Sequence, residues 1–231
     1  MGISIKDCNM IPWNEWYEFS VSDRPSVVLQ SFKDTGRLSG YPNLVSMINT
    51  PQNPKSHPEG DVWNHTKQVI DWAAKLARKY NYTEDAICIE VMSALLHDIG
   101  KADVWTDGRP VTFIENGVPH APKHALRGEQ LTPDVMSRMN APYSIIPIVS
   151  RLVGDHMYHM KYMDGNPPSA NDLYEFIKPY NDMGIPLKSL LILVISDNNG
   201  RTGINGERAY RYGLPDGVIT LINNLKNYHL I

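Results

Sequence analysis

The heptapeptide Leu95-Leu96-His97-Asp98-Ile99-Gly100-Lys101 closes an apolar run with adjacent imidazole and carboxylate side chains. The spacing before it is typical of a buried helix, which we expect to end at His97 and Asp98. Imidazole beside carboxylate at a helix end provides half of a site for a divalent metal. We expect Gly100 to be a left-handed C′ residue, where the missing Cβ removes a steric penalty, and Lys101 to reach a ligand's phosphate. Other helices must supply the remaining ligands.

The composition is that of a globular protein with an ordinary core. The chain has 231 residues, of which 42% are hydrophobic and 20% charged, enough for one large domain or two small ones. The formal net charge of −3 gives no sign of a broad cationic surface for long nucleic acids, although it leaves a local basic groove open. A small phosphorylated ligand needs only a few Lys or Arg side chains. Two cysteines, Cys8 and Cys88, make no disulfide framework. No apolar run approaches the ~20 residues of a membrane span, and residues 1–12 lack the apolar core of a signal peptide, so we expect a cytoplasmic protein.

The segments between the Pro- and Gly-rich connectors have helical periodicity. Over residues 61–80, apolar residues recur at helical spacing and basic residues lie on the opposite face, as in a long amphipathic helix. Thr83 is placed to cap a second helix over 84–98. Residues 103–123 contain several Gly and Pro and are expected to form a long loop over the site. Further helices are predicted over 124–131, 132–140, 143–162, 173–180 and 187–199. Because strand signals are nearly absent, the predicted fold class is all-α, a compact helical bundle.

Metal-ligating side chains recur near the ends of these predicted helices. His65 lies in the first turns of the 61–80 helix, His97 and Asp98 end the next, and Asp197 lies toward the end of the 187–199 helix. His and Asp bind divalent metals while leaving positions open for water. Burying this much charge in an apolar bundle is costly unless a cation compensates it. The alternative interpretation is a buried hydrogen-bonded network without metal.

The order of these residues resembles the HD superfamily of metal-dependent phosphohydrolases, and most closely the HD domain of bacterial CCA-adding tRNA nucleotidyltransferases. The resemblance spans about residues 24–201 and implies a helical bundle of the HD type, with residues 1–58 as a helical lead-in and 59–231 as the HD unit. The paired aspartates of the nucleotidyltransferase half have no counterpart, so CCA addition is not expected of this chain. Five phrases carry the resemblance: His57-Pro58-Glu59-Gly60-Asp61-Val62-Trp63-Asn64-His65-Thr66, the heptapeptide above, His124-Ala125-Leu126-Arg127-Gly128, Leu152-Val153-Gly154-Asp155-His156-Met157 and Ser196-Asp197-Asn198-Asn199-Gly200-Arg201.

The resemblance implies metal-assisted hydrolysis of a phosphoester, in which Asp98 also orients the attacking water. His124 and His156 either complete a second metal site or stay metal-free and contact phosphate or donate to the leaving oxygen. At position 125 the family has an acidic residue where this chain has Ala, which bears on substrate detail. The implied ligands of the first metal are His65, His97, Asp98 and Asp197.

The remaining site residues are expected to bind substrate. Lys101 and Arg201 would neutralise substrate phosphate. In the covering loop, Trp105 is a candidate to stack on a base, and Arg109 is a candidate to reach substrate. Mixed imidazole and carboxylate ligation suits Mn, Fe, Co, Ni or Zn better than Mg. His57 and His229 receive no role, and His120 and His159 are left open.

Three functions remain open at this stage. The first is a phosphohydrolase acting on a 2′,3′-cyclic phosphate or terminal phosphomonoester of a nucleotide or RNA end. The second is a nucleoside 5′-mono- or triphosphate hydrolase, and the third is a non-catalytic nucleotide-binding module with a structural metal. The absence of a basic surface favours a small nucleotide over long RNA. No membrane partner is expected, and the oligomeric state is not determined by the sequence.

Overall fold

The computed structural model describes residues 10–162, 168–203, 205–206, 208 and 216–227; Cys8 and His229 lie outside this part of the chain. The described part is helical apart from one small hairpin, as predicted for an all-α bundle. None of its helices combines the length and apolar content that crossing a membrane requires. The helices are α1 (Trp13–Val21), α2 (Pro25–Asp34), α3 (Pro42–Ser46), α4 (Val62–Lys79), α5 (Glu84–Leu96), α6 (His124–Arg138), α7 (Ile146–Asp155), α8 (Ala170–Asp182), α9 (Leu187–Asn199) and α10 (Asp216–Asn227), with short 3-10 helices at Arg37–Gly40, Ile99–Ala102 and Tyr158–Tyr162.

Helices α4, α5 and α9 pack against one another and carry the predicted ligands. The carboxylate of Asp61 caps α4 by accepting a hydrogen bond of 2.8 Å from the N–H of Asn64. Thr83 caps α5 in the predicted way, by accepting from the N–H of Ala86. From Ile87 onward, α5 is buried on almost every side, so its C-terminal end delivers His97 into the interior.

The segment before α4 contributes side chains to the same hydrophobic cluster. Trp16 of α1 is fully buried, packs edge-on against Phe19 and Phe32, and donates a hydrogen bond of 3.1 Å to the hydroxyl of Tyr41. No role was predicted for residues 1–21. In the described part of that segment, α1 packs against α5. The boundary at residue 58 stays a prediction.

Two predicted helix boundaries were wrong. Residues 124–131 and 132–140 were expected to form separate helices, with Pro133 at the start of the second, but α6 runs through Pro133 without a break. A proline removes one backbone hydrogen bond, and burial of Gly128, Val135 and Met136 on the α6 face outweighs that loss. Residues 143–162 were expected to form one helix, whereas α7 ends at Asp155 and a 3-10 helix follows.

The predicted loop over the site contains a two-stranded antiparallel hairpin, β1 (Phe113–Glu115) and β2 (Val118–His120). Asn116 and Gly117 form its turn with φ values of 50° and 77°. Positive φ at both turn positions is typical of the Asn-Gly hairpin turn, a signal that the sequence analysis overlooked.

The predicted conformation of Gly100 was also wrong. Gly100 lies within the 3-10 helix Ile99–Ala102 and is absent from the described glycines with positive φ. Its missing side chain serves close packing, because a Cβ there would collide with the carbonyl oxygen of His124 and lie 2.6 Å from the backbone nitrogen of Gly128. Gly100 therefore lets the 3-10 helix approach the backbone of α6 and brings His124 next to Asp98.

Candidate metal centre

Three helices bring the four predicted ligands of the first metal together. The donor atoms of His65, His97 and Asp98 lie within 4.8 Å of one another. Nε2 of His65 is 3.3 Å from Nε2 of His97 and 3.0 Å from Oδ1 of Asp197. All four side chains are buried. The structure thus brings four potential metal-ligating side chains into one buried cluster.

Asp98 lies between two pairs of histidines. Its Oδ2 atom is 3.3 Å from Nε2 of His97 and 3.7 Å from Nε2 of His65. Its Oδ1 atom faces the other way, 3.1 Å from Nε2 of His124 and 3.7 Å from Nε2 of His156. The carboxylate therefore belongs to two groups of three donors at once.

Backbone carbonyl groups determine which ring nitrogen faces the centre. In three of the four histidines around Asp98, Nδ1 lies against the backbone carbonyl oxygen of the residue three positions earlier. These contacts are His97 to Ala94 at 2.7 Å, His124 to Ala121 at 2.8 Å and His156 to Val153 at 2.7 Å. Because a carbonyl oxygen only accepts hydrogen bonds, Nδ1 carries the proton in each ring, and Nε2 presents a lone pair to the centre when the ring is neutral.

His65 is oriented by a carboxylate that the sequence analysis missed. Its Nδ1 atom lies 2.7 Å from Oε1 of Glu59 and 3.2 Å from the carbonyl oxygen of Gly200. The same Glu59 oxygen lies 2.8 Å from Nδ1 of His57. Both residues stood in the phrase that resembled the HD family, but they precede α4, where no helical period connects them to His65. The resemblance was the one signal that could have identified them.

Two cations flank the carboxylates. Lys101 donates hydrogen bonds of 2.7 Å to Oδ2 of Asp98 and to Oε1 of Gln52. Arg201 donates from Nη2 to both oxygens of Asp197, at 2.9 and 2.8 Å. Both predicted phosphate-binding residues are therefore within the cluster, each beside a predicted ligand.

The charges of the cluster shift its pKa values strongly. Burial alone would raise the pKa of Asp98, but the charge of Lys101 and the neighbouring histidines hold it well below its usual range. Burial likewise opposes ionisation of Asp197, and Arg201 and His65 lower its pKa well below the usual range. Burial would lower the pKa of His65, yet hydrogen bonding to Asp197 and Glu59 raises it to about 9. Carboxylates ionised at neutral pH are suited to bind a cation.

The second pair of histidines lies in a different electrostatic setting. Burial and the nearby rings of His124 and His97 lower the pKa of His156 to about 3. His156 is therefore neutral over the physiological pH range, and its Nε2 atom accepts rather than donates.

A cavity of about 310 Å³ opens onto the cluster. His120 of β2 and His159 also face it, whereas Trp105 and Arg109 are not among the residues lining it. Arg109 instead pairs with Asp107 at 2.7 Å. The predicted site residues in the cavity wall are Asp98, Lys101, His124, His156, Asp197 and Arg201.

Two observations show that the donor set fits a divalent cation. Oδ1 of Asp98 is buried and accepts no hydrogen bond from a described residue. Nε2 of His124 faces Nε2 of His156 at 3.2 Å, which brings two lone pairs together when both rings are neutral. Orphaned acceptors and facing lone pairs are costly in a buried site unless a cation lies between them.

Comparison with known proteins agrees with this geometry. Residues 62–194 match the sequence profile of the family described as HD domain. The multifunctional CCA protein of Vibrio cholerae is 33% identical over 196 residues, covering 84% of this chain and 44% of that protein. The multifunctional CCA protein of Halorhodospira halophila is 26% identical over 202 residues, covering 84% of this chain and 43% of that protein. The chain thus spans less than half the length of these curated relatives.

Proposed function

This chain belongs to the HD domain family, and on that premise we propose that it is a metal-dependent phosphohydrolase that cleaves a phosphoester of a nucleotide or an RNA end. Residues 59–231 would form the HD unit. One observation carries the proposal: the buried carboxylate of Asp98 lies between two pairs of histidines, on a cavity that also exposes Lys101 and Arg201. Side chains suited to bind a metal and cations suited to bind phosphate therefore surround one space.

The chain's own side chains would hold the metal. A divalent ion supplies Lewis acidity when bound, since it polarises a phosphoryl oxygen and lowers the pKa of water. The donor set of imidazole nitrogens and carboxylate oxygens suits Mn, Fe, Co, Ni or Zn better than Mg. The first set of ligands would be His65, His97, Asp98 and Asp197.

His124 and His156 are better suited to hold a second ion than to protonate a leaving group. Their Nδ1 protons are engaged by the carbonyl groups of Ala121 and Val153, so the nitrogens facing the cavity lack a proton when the rings are neutral. With Asp98 they form a three-donor group of their own. We therefore assign them to a second site that shares Asp98 with the first.

Lys101 and Arg201 would bind the substrate phosphate. Both side chains line the cavity, and each already neutralises a carboxylate at its floor. An ion bound by those carboxylates would leave the ammonium and guanidinium groups free to donate to phosphoryl oxygens.

The size of the cavity supports a small substrate. Its volume of about 310 Å³ is at the lower end of the range for ligand pockets, about 300–1,000 Å³. A mononucleotide or the last nucleotide of an RNA fits this volume better than an internal stretch of RNA. We propose a 2′,3′-cyclic phosphate or a terminal phosphomonoester as substrate, as the resemblance to the HD domain of CCA-adding enzymes implies. A nucleoside 5′-mono- or triphosphate is the second candidate, because the same volume favours a small nucleotide.

Hydrolysis by the metal-reconstituted protein tests the proposal. The substrates are 2′,3′-cyclic AMP, the 2′-, 3′- and 5′-monophosphates of adenosine, and deoxynucleoside triphosphates, each with Mn, Co, Ni, Zn and Mg. The Asp98→Ala protein is assayed in parallel. Metal content per chain, measured on the same samples, distinguishes one ion from two, and we expect His156→Ala to lose one of two.

The substrate pattern decides between the candidates. If wild type hydrolyses cyclic or 2′-phosphates and Asp98→Ala does not, the cyclic phosphate or terminal phosphomonoester is supported as substrate. If turnover is confined to 5′-phosphates, a nucleoside 5′-mono- or triphosphate is supported. If wild type binds metal and nucleotide but hydrolyses nothing, the chain is a nucleotide-binding module and the enzyme proposal fails.

A further inference from the structure

We propose that Glu59 is a positioning residue for the metal centre: it holds His65 from behind and strengthens its Nε2 atom as a metal donor, while His57 keeps the Glu59 carboxylate in place. This inference rests on the metal site of the proposed function. It adds a residue that does not itself touch the metal or the substrate.

The contacts form a chain from the cavity wall to the predicted ligand. Oε1 of Glu59 lies between two imidazoles, 2.8 Å from Nδ1 of His57 and 2.7 Å from Nδ1 of His65. The rings of His57 and His65 meet edge to face, with their centroids 4.7 Å apart. The side chain of Glu59 is 1% exposed. This degree of burial leaves the carboxylate little freedom to move away from His65.

Glu59 makes His65 different from the other histidines of the cluster. Nδ1 of His97, His124 and His156 meets a neutral backbone carbonyl, whereas Nδ1 of His65 meets the negative charge of Glu59 in addition to the carbonyl oxygen of Gly200. A carboxylate behind a ligating imidazole fixes the ring orientation and raises its basicity, and losing such a partner typically weakens metal binding about 10–100-fold. The effect of Glu59 should therefore concentrate on His65.

The position of Glu59 separates a positioning role from substrate binding. His57 lines the cavity of the metal cluster, but Glu59 does not. Glu59 lines a different cavity, of about 760 Å³, between α2, α4 and the segment after α9. A substrate in the first cavity would meet His57 and not the carboxylate.

Metal affinity of the full chain tests the inference. Calorimetric titration of the metal-free protein with Co²⁺ is compared between wild type and Glu59→Gln. The amide oxygen can still accept from His65, so this change removes the charge and keeps the shape. We expect affinity about 10–100-fold weaker and an altered visible spectrum of the Co²⁺ complex. The matched control is Glu90→Gln, the same substitution at another buried acidic side chain, which lines neither cavity and should leave affinity unchanged.

Two results would overturn the inference. One is wild-type affinity in Glu59→Gln, and the other is an equal loss in Glu90→Gln, which would show that the loss of affinity does not depend on contact with His65. If Glu59→Gln does not fold, His57→Phe decides: it keeps a ring but removes the donor to Glu59, and unchanged Co²⁺ affinity there would contradict the proposed chain of contacts.

The readout is independent of catalysis. If wild type binds Co²⁺, Glu59→Gln binds it more weakly and neither hydrolyses any phosphoester, the proposed function fails and the role of Glu59 stands. If wild type hydrolyses substrate and Glu59→Gln binds Co²⁺ normally, only the role of Glu59 fails.

Discussion

Glu90 and Asp98 are two buried acidic residues, one within α5 and the other just after it, in opposite electrostatic settings. Glu90 is 1% exposed, and neither of its oxygens accepts a hydrogen bond from a described residue. Asp98 is 2% exposed, but a lysine and four histidines lie around it. Burial raises the pKa of Glu90 to about 8, whereas its cationic surroundings hold the pKa of Asp98 well below the usual range despite burial.

The difference shows how one helical segment serves two purposes. A buried carboxyl without partners avoids the cost of desolvation by keeping its proton, and it then behaves as a neutral core residue. A buried carboxyl beside a cation, as Asp98 is beside Lys101, stays charged and can bind a metal. Burial alone therefore does not identify a functional carboxylate, whereas partners that converge from other helices do.

The largest expected effect comes from replacing Asp98, the ionised one of the two buried acidic residues. In Asp98→Ala both groups of donors lose their shared carboxylate, so we expect loss of metal binding and a decrease in kcat/KM of at least about 10²–10³-fold. Steady-state hydrolysis and metal content measure this. Glu90→Gln is the control and should retain activity; a loss of less than tenfold in Asp98→Ala would contradict the comparison.

The next effect concerns the cation nearest to Asp98. Lys101→Met removes the ammonium that lies 2.7 Å from Oδ2 of Asp98. Breaking a buried ion pair from one side typically lowers the free energy of unfolding by about 3–5 kcal/mol. Urea denaturation of the metal-free protein should show a loss of this order, and saturating divalent metal should recover part of it. No recovery with metal would argue against a cation site at Asp98.

Glu90→Gln should change how stability depends on pH. Between the ordinary pKa of 4.5 and the raised value of about 8, the folded protein keeps a proton that the unfolded chain releases. Wild-type stability attributable to Glu90 is therefore lost as pH rises through this window. The variant should match wild type at about pH 5 and be more stable by about 2–4 kcal/mol at about pH 8. Parallel pH profiles of unfolding free energy would contradict the unpaired state of Glu90.

The smallest expected effect tests the packing that brings His124 to Asp98. In Gly100→Ala the new Cβ would collide with the carbonyl oxygen of His124, so we expect a loss of about 1–3 kcal/mol of unfolding free energy and slower hydrolysis. Gly154→Ala is the control, because its Cβ would meet the flexible side chain of Glu129. Equal losses of unfolding free energy in both variants would contradict a specific role of Gly100 in the close approach of the 3-10 helix to α6.

Local signals predicted much of the fold. The N-cap predicted at Thr83 is present in the structure, because capping depends on a few residues in succession. Pro133 misled the prediction because its one lost hydrogen bond is outweighed by burial on either side of it, which depends on α7. Gly100 misled it in the same way, since its close neighbours are His124 and Gly128 on another helix.

The sequence by itself determined the all-α class and the order of the ligand residues along the chain, because helical period, caps and short motifs are local properties. The tertiary structure alone decided that Asp98 faces two pairs of histidines, that Glu59 lies behind His65, and that Trp105 and Arg109 lie outside the cavity wall. Except for the contact between Glu59 and His65, these facts depend on distances between residues tens of positions apart. Such distances are set by how whole helices pack, and no periodicity within one helix encodes them.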